Sequence, residues 1–330
     1  MLSKLNIAIV GATGRVGRTF LQVLPSMGLP LGEVVLFSSH ASKGKKLPFG
    51  ERILVVEELT EEAIDEKRFQ YALFSAGGDI SKAFAPLFRD RGIQVIDNSS
   101  AFRMEKDVPL VVPEVNPKEA MGHLLIANPN CSTIQSVLPL KVVKDLFGLK
   151  RVSYTTYQAV SGSGQKGVED LKRTLKGEAP SFYPRSIAGN CIPQIDVFLA
   201  DGYTKEEVKM IEETRKILEL PKLPVTATCV RVPVENGHSV AVNVTCEKDL
   251  DLEVLKRAFQ RADGIIFYED GYPVAEDANG RDEVLVGRLR QDESMGKSLH
   301  FWCVADNVRK GAATNALQIL KIVWEERSIM

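Results

Sequence analysis

The sequence IANPNCSTIQ, residues 126–135, places one cysteine between a Pro-Asn pair and the start of a helix-like run. A helix is predicted from about Ser132 to Leu146, so that Cys131 falls at its N-cap or in its first turn. Free N–H groups and the helix dipole stabilise a thiolate there and bring the pKa of a thiol from about 8.5 toward neutrality. Cys131 is therefore predicted to be a nucleophile. The other cysteines lie in or beside apolar strands or loops, where a cysteine usually packs, and they are Cys191, Cys229, Cys246 and Cys303.

Further residues that could do chemistry lie near the ends of predicted strands. A thiol nucleophile needs a proton partner, and His238 heads an alternating strand, where its side chain can project into a cleft. Arg231 has apolar neighbours, and an arginine so placed usually binds a carboxylate or phosphate. Gln158 ends a strand before a Gly/Ser loop that can lie against a nicotinamide or phosphate. Glu206 and Lys209 share one helix face at i, i+3, which is typical of a surface salt bridge. A turn histidine without a chemical role remains the alternative for His238.

A glycine-rich turn near the N-terminus predicts a dinucleotide site. Gly11, Gly14 and Gly17 lie between a buried strand and an amphipathic helix in IAIVGATGRVGRTFLQVL. Glycines there let backbone amides approach a pyrophosphate, and the helix directs its positive end at the same charge. The spacing differs from G-x-G-x-x-G, so a tight structural turn without a ligand remains the alternative.

The end of the second predicted strand indicates NADP rather than NAD. An NAD site usually carries Asp or Glu there, about 20 residues after the glycines, to bind the ribose 2′-hydroxyl. Residues 37–46 contain no acid. Their hydroxyls and cations suit a 2′-phosphate, and they are Ser38, Ser39, Ser42, Lys43, Lys45 and Lys46. A solvated polar loop is the alternative for each of them.

Composition restricts the ligand class and the location. A net charge of −1 and a pI near 6.5 leave no basic excess for nucleic acid or a membrane surface, so small molecules are the expected ligands. No stretch approaches the roughly 18 apolar residues that span a bilayer, and no cleavable signal pattern is present, which predicts a cytoplasmic protein. The cysteines are odd in number and lack a C-x-x-C, which predicts neither a disulfide framework nor a metal site.

The apolar runs predict an α/β fold in two domains, as the length also suggests. Over residues 1–130, continuous apolar runs alternate with helical stretches, which is typical of a Rossmann-type, mostly parallel sheet. Residues 131–310 are predicted to form an α+β domain on a mostly antiparallel sheet. Within it, residues 226–234 and 238–247 alternate with period two and are predicted to form a hairpin-like pair. A terminal helix at about 311–330 is expected to pack on the first domain and complete it.

Taken together, these segments resemble the aspartate-semialdehyde dehydrogenase family. The motifs occur in the family's order over nearly the whole chain, and they are GATGRVG near residue 11, FSAGG at 74–78, DNSSAFR at 97–103, VPEVN at 112–116, NPNCST at 128–133, YQAVSGSG at 157–164, CVRVPVENGHS at 229–239 and DNVRKGAATNALQI at 306–319. The combination of NPNCST with RVPV and a histidine seven residues after the arginine is highly specific.

The resemblance implies reversible, NADPH-dependent reduction of L-aspartyl 4-phosphate to L-aspartate 4-semialdehyde and phosphate, in lysine, threonine, methionine and diaminopimelate biosynthesis. By that likeness Cys131 forms a thioester, His238 is the acid/base and Gln158 orients the intermediate. Substrate and phosphate contacts would fall on Arg231 for the α-carboxylate, Glu206 for the α-amino group, Arg103 with Lys209 for the phosphate, and Asn130. Cofactor contacts would fall on Gly11, Thr13, Gly14, Arg15, Val16, Ser38, Ser39, Ala41, Ser42, Ser161, Gly162 and Asn307. The second domain would be catalytic and would dimerise, with a tetramer as the alternative to a homodimer.

One position departs from the family's pattern. Many members carry an arginine in the loop after the second strand, in a segment like A-S-x-R-S-A-G, where this chain has Ala41. Lys43 and the nearby serines are still expected to favour NADP, with NAD tolerated better than usual.

Three other functions stay open. N-acetyl-γ-glutamyl-phosphate reductase has the same chemistry on a longer, acetylated substrate, but Glu206 suits a free ammonium. Glyceraldehyde-3-phosphate dehydrogenase shares the thioester chemistry, although its motif around the cysteine differs. A catalytically silent relative that only binds nucleotides would be expected to lack the nucleophile or its partners, which this chain keeps.

Overall fold

The computed structural model describes residues 4–329. It divides into two compact units: the first contains the chain up to Pro129 and again from Ala312, and the second is Asn130–Gly311. The strands are β1 Leu5–Val10, β2 Leu31–Ser38, β3 Lys46–Phe49, β4 Arg52–Glu58, β5 Tyr71–Phe74, β6 Gln94–Asp97, β7 Leu125–Ala127, β8 Arg151–Gln158, β9 Val225–Arg231, β10 His238–Thr245, β11 Ile265–Phe267, β12 Val284–Gln291 and β13 Ser298–Ala305. The α-helices are α1 Arg15–Val23, α2 Glu61–Asp65, α3 Gly78–Asp90, α4 Cys131–Phe147, α5 Gly164–Leu175, α6 Lys205–Ile217, α7 Leu252–Arg261 and α8 Thr314–Ile329. None of the helices in residues 4–329 is both long and apolar enough to cross a lipid bilayer.

The first unit is built on a seven-stranded sheet in the order β3-β4-β2-β1-β5-β6-β7. Neighbouring strands are parallel except for β3 and β4, which are antiparallel. Ile7 and Ile9 of β1 belong to one apolar cluster with Phe20 of α1 and Leu320 of α8, whereas the intervening Ala8 packs in a second cluster that includes residues of α3. Successive residues of a strand are apolar because both faces of the sheet are covered. The predicted mostly parallel, Rossmann-type sheet is confirmed.

The second unit is built on a six-stranded sheet in the order β11-β12-β13-β10-β8-β9. The three central pairings are antiparallel, whereas β8–β9 and β11–β12 are parallel. Helix α4 contacts β10 and β13, α6 contacts β9, and α7 contacts β11 and β12. Residues on the other face are exposed or partly exposed, including Tyr157, Ala241, His300 and Trp302. The mixed, mostly antiparallel sheet agrees with the predicted α+β unit.

The predicted hairpin between residues 226–234 and 238–247 is wrong. Both strands form, but β8 lies between β9 and β10, pairing parallel with β9 and antiparallel with β10. The connecting backbone bonds instead to the segment that follows β8: the N–H of Val160 donates to Val234 O at 2.9 Å and that of Ser161 to Glu235 O at 3.0 Å. Period-two alternation identifies a strand and its buried face, but it carries no information about the neighbouring strand.

Candidate active site

Cys131 is the first residue of α4, one position before the predicted start of the helix. Asn130 is the N-cap residue, and its side-chain oxygen accepts hydrogen bonds from the N–H groups of Ser132 at 2.9 Å and Thr133 at 3.3 Å. An asparagine cap of this kind fixes where a helix starts. The Cys131 side chain is partly exposed. A Cβ at Gly311 would lie 2.9 Å from the Cβ of Cys131, so only glycine leaves room for the cysteine there.

Two buried carboxylates of α6 hold Asn130. Glu206 Oε1 accepts from Asn130 Nδ2 at 2.8 Å and from Gln158 Nε2 at 3.2 Å. Glu213 Oε2 accepts the backbone N–H of Asn130 at 2.6 Å. Lys209 Nζ donates to Glu206 Oε2 at 3.1 Å, so the predicted i, i+3 ion pair forms. It is only partly a surface pair, because the side chain of Lys209 is 27% exposed and that of Glu206 only 8%.

The carboxyl group of Glu206 is ionised. Burial by itself raises its pKa, but the charge of Lys209 and hydrogen bonds from Asn130, Gln158 and Lys209 outweigh burial and lower the pKa below the usual value. Burial lowers the pKa of Lys209, but Glu206 and Asp196, which accepts from Lys209 at 2.9 Å, raise it above the usual value. The second unit therefore contains a fixed anion and a fixed cation close to the helix that carries Cys131.

The backbone N–H and C=O of Ala159 join His238 to Arg231. The Ala159 N–H donates to His238 Nδ1 at 3.0 Å, and Arg231 Nη1 donates to Ala159 O at 2.7 Å. Burial, and secondarily the charge of Arg231, hold the pKa of His238 well below the usual value, so the ring is neutral. Because Nδ1 accepts a hydrogen bond, the single ring proton lies on Nε2. Among the described residues, Nε2 is buried and has no hydrogen-bond partner.

Gly162 lies against both of these side chains. A Cβ at this position would lie 2.9 Å from Arg231 Nη1 and 3.1 Å from His238 Nε2. The adjacent Ser161 hydroxyl is hydrogen-bonded to the side-chain amide of Asn307, at 2.9 Å from Nδ2. The segment that follows β8 thus brings together five of the predicted residues, and they are Ser161, Gly162, Arg231, His238 and Asn307.

The predicted glycine turn of the first unit has the backbone that a nucleotide-binding loop requires. Gly11 has a φ of +83°, and a Cβ there would lie 2.7 Å from the carbonyl carbon of Ser75. A Cβ at Gly17 would lie 2.2 Å from Gly11 O. With any larger residue at position 17, helix α1 could not lie as close to the turn as it does with glycine. Gly14 is the N-cap residue of α1. The N-terminus of α1 therefore starts at the turn, as pyrophosphate binding requires.

A cavity of about 360 Å³ opens beside this turn. Five of the predicted cofactor residues line it, and they are Gly11, Thr13, Gly14, Ser38 and Ser39. The predicted Arg15, Val16, Ala41 and Ser42 are not part of its lining. The hydroxyls of Thr13 and Ser38 are hydrogen-bonded to each other at 2.9 Å. The glycine geometry, the hydroxyls and the cavity beside a helix N-terminus fit a dinucleotide.

Sequence reasoning missed Glu58, which also lines this cavity. Glu58 ends β4 and lies opposite Ser38 in the parallel pairing of β2 with β4. The signal was available, because the carboxyl ends of parallel strands lie at the same edge of a sheet and both strands were predicted. The acid that usually binds the ribose follows the second strand, whereas Glu58 ends β4.

Arg103, a predicted phosphate ligand, belongs to the first unit. It is buried, and it donates to the backbone oxygens of Asn128 and Asn98, each at 2.9 Å. Its guanidinium therefore supports the main chain of this unit, and its contact with phosphate stays a prediction.

Both units match known protein families. Residues 6–123 match the family model described as semialdehyde dehydrogenase, NAD binding domain, and residues 140–310 match semialdehyde dehydrogenase, dimerisation domain. The aspartate-semialdehyde dehydrogenase of Aquifex aeolicus is 50% identical over 97% of this chain and 98% of its own length.

Solved structures give the same result. Aspartate semialdehyde dehydrogenase II from Vibrio cholerae, complexed with ASA, has a TM-score of 0.92 and 44% identity, and the match covers 97% of this chain and 98% of that one. The Candida albicans enzyme, solved with NADP, has a TM-score of 0.79 and 25% identity, covering 99% of this chain and 100% of that one. This chain belongs to the aspartate-semialdehyde dehydrogenase family.

Proposed function

We propose that this enzyme catalyses the reversible NADPH-dependent reduction of L-aspartyl 4-phosphate to L-aspartate 4-semialdehyde and phosphate, with Cys131 as the nucleophile. The observation that carries the proposal is the position of Cys131. It is partly exposed at the first residue of α4, directly after a cap residue that Glu206 and Glu213 hold. The N–H groups of the first helical turn favour the thiolate form of such a cysteine.

The charged groups of the second unit suit a substrate with several charges. We assign Glu206, which is buried and ionised, to the α-ammonium, and Arg231 to the α-carboxylate. Among the described residues, Arg231 Nε is buried without a hydrogen-bond partner, which leaves a donor for a carboxylate oxygen. We assign Lys209 and Arg103 to the phosphate. Asn130 links Glu206 to the helix that carries the nucleophile.

The proposed chemistry proceeds through a covalent bond to Cys131. The thiolate attacks the acyl carbon, the bond from that carbon to the phosphate oxygen breaks, and phosphate leaves with the electron pair. NADPH, when bound, supplies the hydride that reduces the resulting thioester. The carbon–sulfur bond then breaks, the sulfur leaves as a thiolate, and the aldehyde is released. Gln158, held by Glu206 and by Thr156, would orient the covalent intermediate.

His238 acts at Nε2 in this scheme. Its Nε2–H can donate to the substrate carbonyl oxygen, which carries negative charge after the thiolate attacks. A proton-accepting role at Nε2 requires the other tautomer, with the proton on Nδ1, and Nδ1 faces the N–H of Ala159. The arrangement therefore supports hydrogen-bond donation to the oxyanion, and acid/base work requires the contact with Ala159 to open.

We assign the cofactor site to the cavity beside the glycine turn, with NADP preferred over NAD. The turn and the N-terminus of α1 would hold the pyrophosphate, and Ser38 and Ser39 would lie near the adenosine ribose. Ser161, Gly162 and Asn307 of the second unit are proposed as further contacts. Residues 1–130 with 311–330 would thus form the cofactor domain, and residues 131–310 the catalytic and dimerisation domain.

A steady-state assay tests this function. L-aspartate 4-semialdehyde, phosphate and NADP should be turned over, as followed by NADPH absorbance, and the N-acetylated C5 semialdehyde should not. Cys131→Ala should abolish turnover while NADPH binding stays measurable. Cys191→Ala, which alters an exposed cysteine of the same unit, is the matched control and should keep full activity. Turnover by the Cys131 variant, or preference for the acetylated substrate, would refute the proposal.

We also propose a cytoplasmic homodimer that pairs through the partly exposed face of the second sheet. A cavity of about 390 Å³ on that face is lined by the apolar residues Tyr272, Pro273, Val274 and Trp302 and also by Arg288, Arg290 and His300. Exposed apolar surface of this kind is typical of a protein interface. Light scattering coupled to size exclusion should give twice the 36.4 kDa chain mass. Trp302→Glu should give a monomer, and a wild-type monomer at micromolar concentration would refute the pairing.

A further inference from the structure

We propose that Glu58 is a specificity-determining residue for the cofactor: its carboxylate favours a ribose 2′-hydroxyl over a 2′-phosphate and occupies Lys43, which would otherwise bind the phosphate. This inference rests on the proposed assignment of the cavity in the first unit to the dinucleotide. It concerns how that site discriminates between two cofactors.

Glu58 lies where a ribose-binding acid would be expected, although it comes from another strand. It is opposite Ser38 in the pairing of β2 with β4, and the N–H of Leu59 donates to Ser38 O at 3.0 Å. Ser38, Ser39 and Glu58 line the same cavity. The carboxylate that usually follows the second strand of such a fold is thus supplied from the neighbouring strand.

The imidazole of His40 and the ammonium group of Lys43 both contact the same carboxylate oxygen. His40 Nδ1 lies 2.9 Å and Lys43 Nζ 3.5 Å from Glu58 Oε2. The hydrogen bond from His40 is the main cause that lowers the pKa of Glu58 below its usual value, so the group is ionised at neutral pH. The side chains of His40 and Lys43 are 82% and 61% exposed, whereas that of Glu58 is 29% exposed. The anion is the most fixed of the three groups.

This arrangement treats the two cofactors differently. A 2′-hydroxyl can donate a hydrogen bond to an ionised carboxylate, whereas a 2′-phosphate carries negative charge and is repelled by it. Lys43 can bind a 2′-phosphate only by leaving Glu58 or by sharing its charge with it. Glu58 therefore weakens the preference for NADP that the lysines and serines of this loop create.

Glu58→Gln tests the inference, with equilibrium binding as the readout. Isothermal titration calorimetry should show tighter NADPH binding and equal or weaker NADH binding. The ratio of the NADH to the NADPH dissociation constant should rise about threefold to tenfold, because the contacts are partly exposed. Glu57→Gln is the matched control. It removes the same charge one residue earlier on β4, where Glu57 pairs with Lys67 at 2.9 Å, and it should leave the ratio unchanged.

A double variant tests the mechanism. If Glu58 occupies Lys43, then Lys43→Met should weaken NADPH binding more in the Glu58→Gln background than in the wild type. A ratio within twofold of the wild type, or a fall in NADPH affinity in Glu58→Gln, would overturn the inference. The second result would mean that Glu58 places Lys43 for the phosphate. Failure of the wild type to bind either cofactor would instead refute the proposed function, and the inference with it.

Discussion

Replacing Asn130 by aspartate would set two carboxylates against each other beside Cys131. The side-chain nitrogen of Asn130 lies 2.8 Å from Glu206 Oε1, and the variant would place an oxygen there. The helix cap would remain, because either oxygen of an aspartate can accept the N–H of Ser132. Only the contact with Glu206 changes from attraction to repulsion.

The size of the effect follows from electrostatics. Two unit charges about 4 Å apart repel by about 4 kcal/mol at an effective dielectric constant of 20. The repulsion can destabilise the folded variant only up to the free energy needed to protonate one of the two carboxylates. For a carboxyl with an ordinary pKa of about 4.2, that limit is about 4 kcal/mol at pH 7 and about 1 kcal/mol at pH 5. In the folded variant, each carboxylate raises the pKa of the other above its value in the unfolded chain. The loss of stability is therefore absent below about pH 4 and grows as the pH rises.

Thermal unfolding at two pH values measures this effect. Relative to the wild type, the melting temperature of Asn130→Asp should fall by about 6 °C at pH 7 and by about 1–2 °C at pH 5, given the unfolding entropy expected for 330 residues. Asn130→Ser is the control, because its hydroxyl keeps the cap but adds no charge. That variant should lose about 1.5–3 kcal/mol for the hydrogen bond to a charged group at both pH values. An aspartate variant whose loss does not depend on pH would show that Glu206 is not ionised beside residue 130.

Three further variants test other contacts. Gly162→Ala would push a methyl group against Arg231 and His238, so kcat/KM should fall about 10- to 100-fold. An unchanged kcat/KM in steady-state kinetics would contradict the described packing. Glu213→Gln removes a negative charge next to Cys131, so the pH midpoint of Cys131 alkylation by iodoacetamide should fall by about half a unit to one unit. A rise in that midpoint would be incompatible with this reasoning. Gly17→Ala forces α1 away from the glycine turn, and unfolding should show a loss of about 1–3 kcal/mol together with weaker NADPH binding; a titration curve identical to the wild type would count against the turn as the cofactor site.

The features that the sequence predicted well depend on local pattern. Ile7 to Val10 are apolar at successive positions because each face of their sheet is covered, and that burial leaves a direct trace in composition. The start of α4 could be predicted to within one residue, since Asn130 is a strong cap and the helix that follows is regular. The glycine turn was recognised because close backbone approaches exclude any other residue type.

The features that were missed depend on contacts between distant segments. The neighbour of β9 is β8, which lies more than 60 residues earlier, and alternation within β9 is the same whichever strand it pairs with. The link between His238 and Arg231 runs through the backbone N–H and C=O of Ala159, and every residue except proline has both groups. Residue types cannot reveal such a link. Glu213 resembles any other acid of an amphipathic helix until the fold brings it to Asn130.

The pairing of charges in the second unit bears on the choice of substrate. Lys209 is bound to both Glu206 and Asp196. Under the proposed contacts, a phosphate that attracts Lys209 would draw it away from Glu206. The buried carboxylate of Glu206 would then have lost its ion-pair partner, at a cost of several kcal/mol. A substrate with a free α-ammonium replaces the lost cation at Glu206, whereas an N-acetylated substrate does not. Under the proposed contacts, discrimination against the acetylated substrate would therefore arise from a buried anion that must keep a cation beside it, and it would not require a steric barrier.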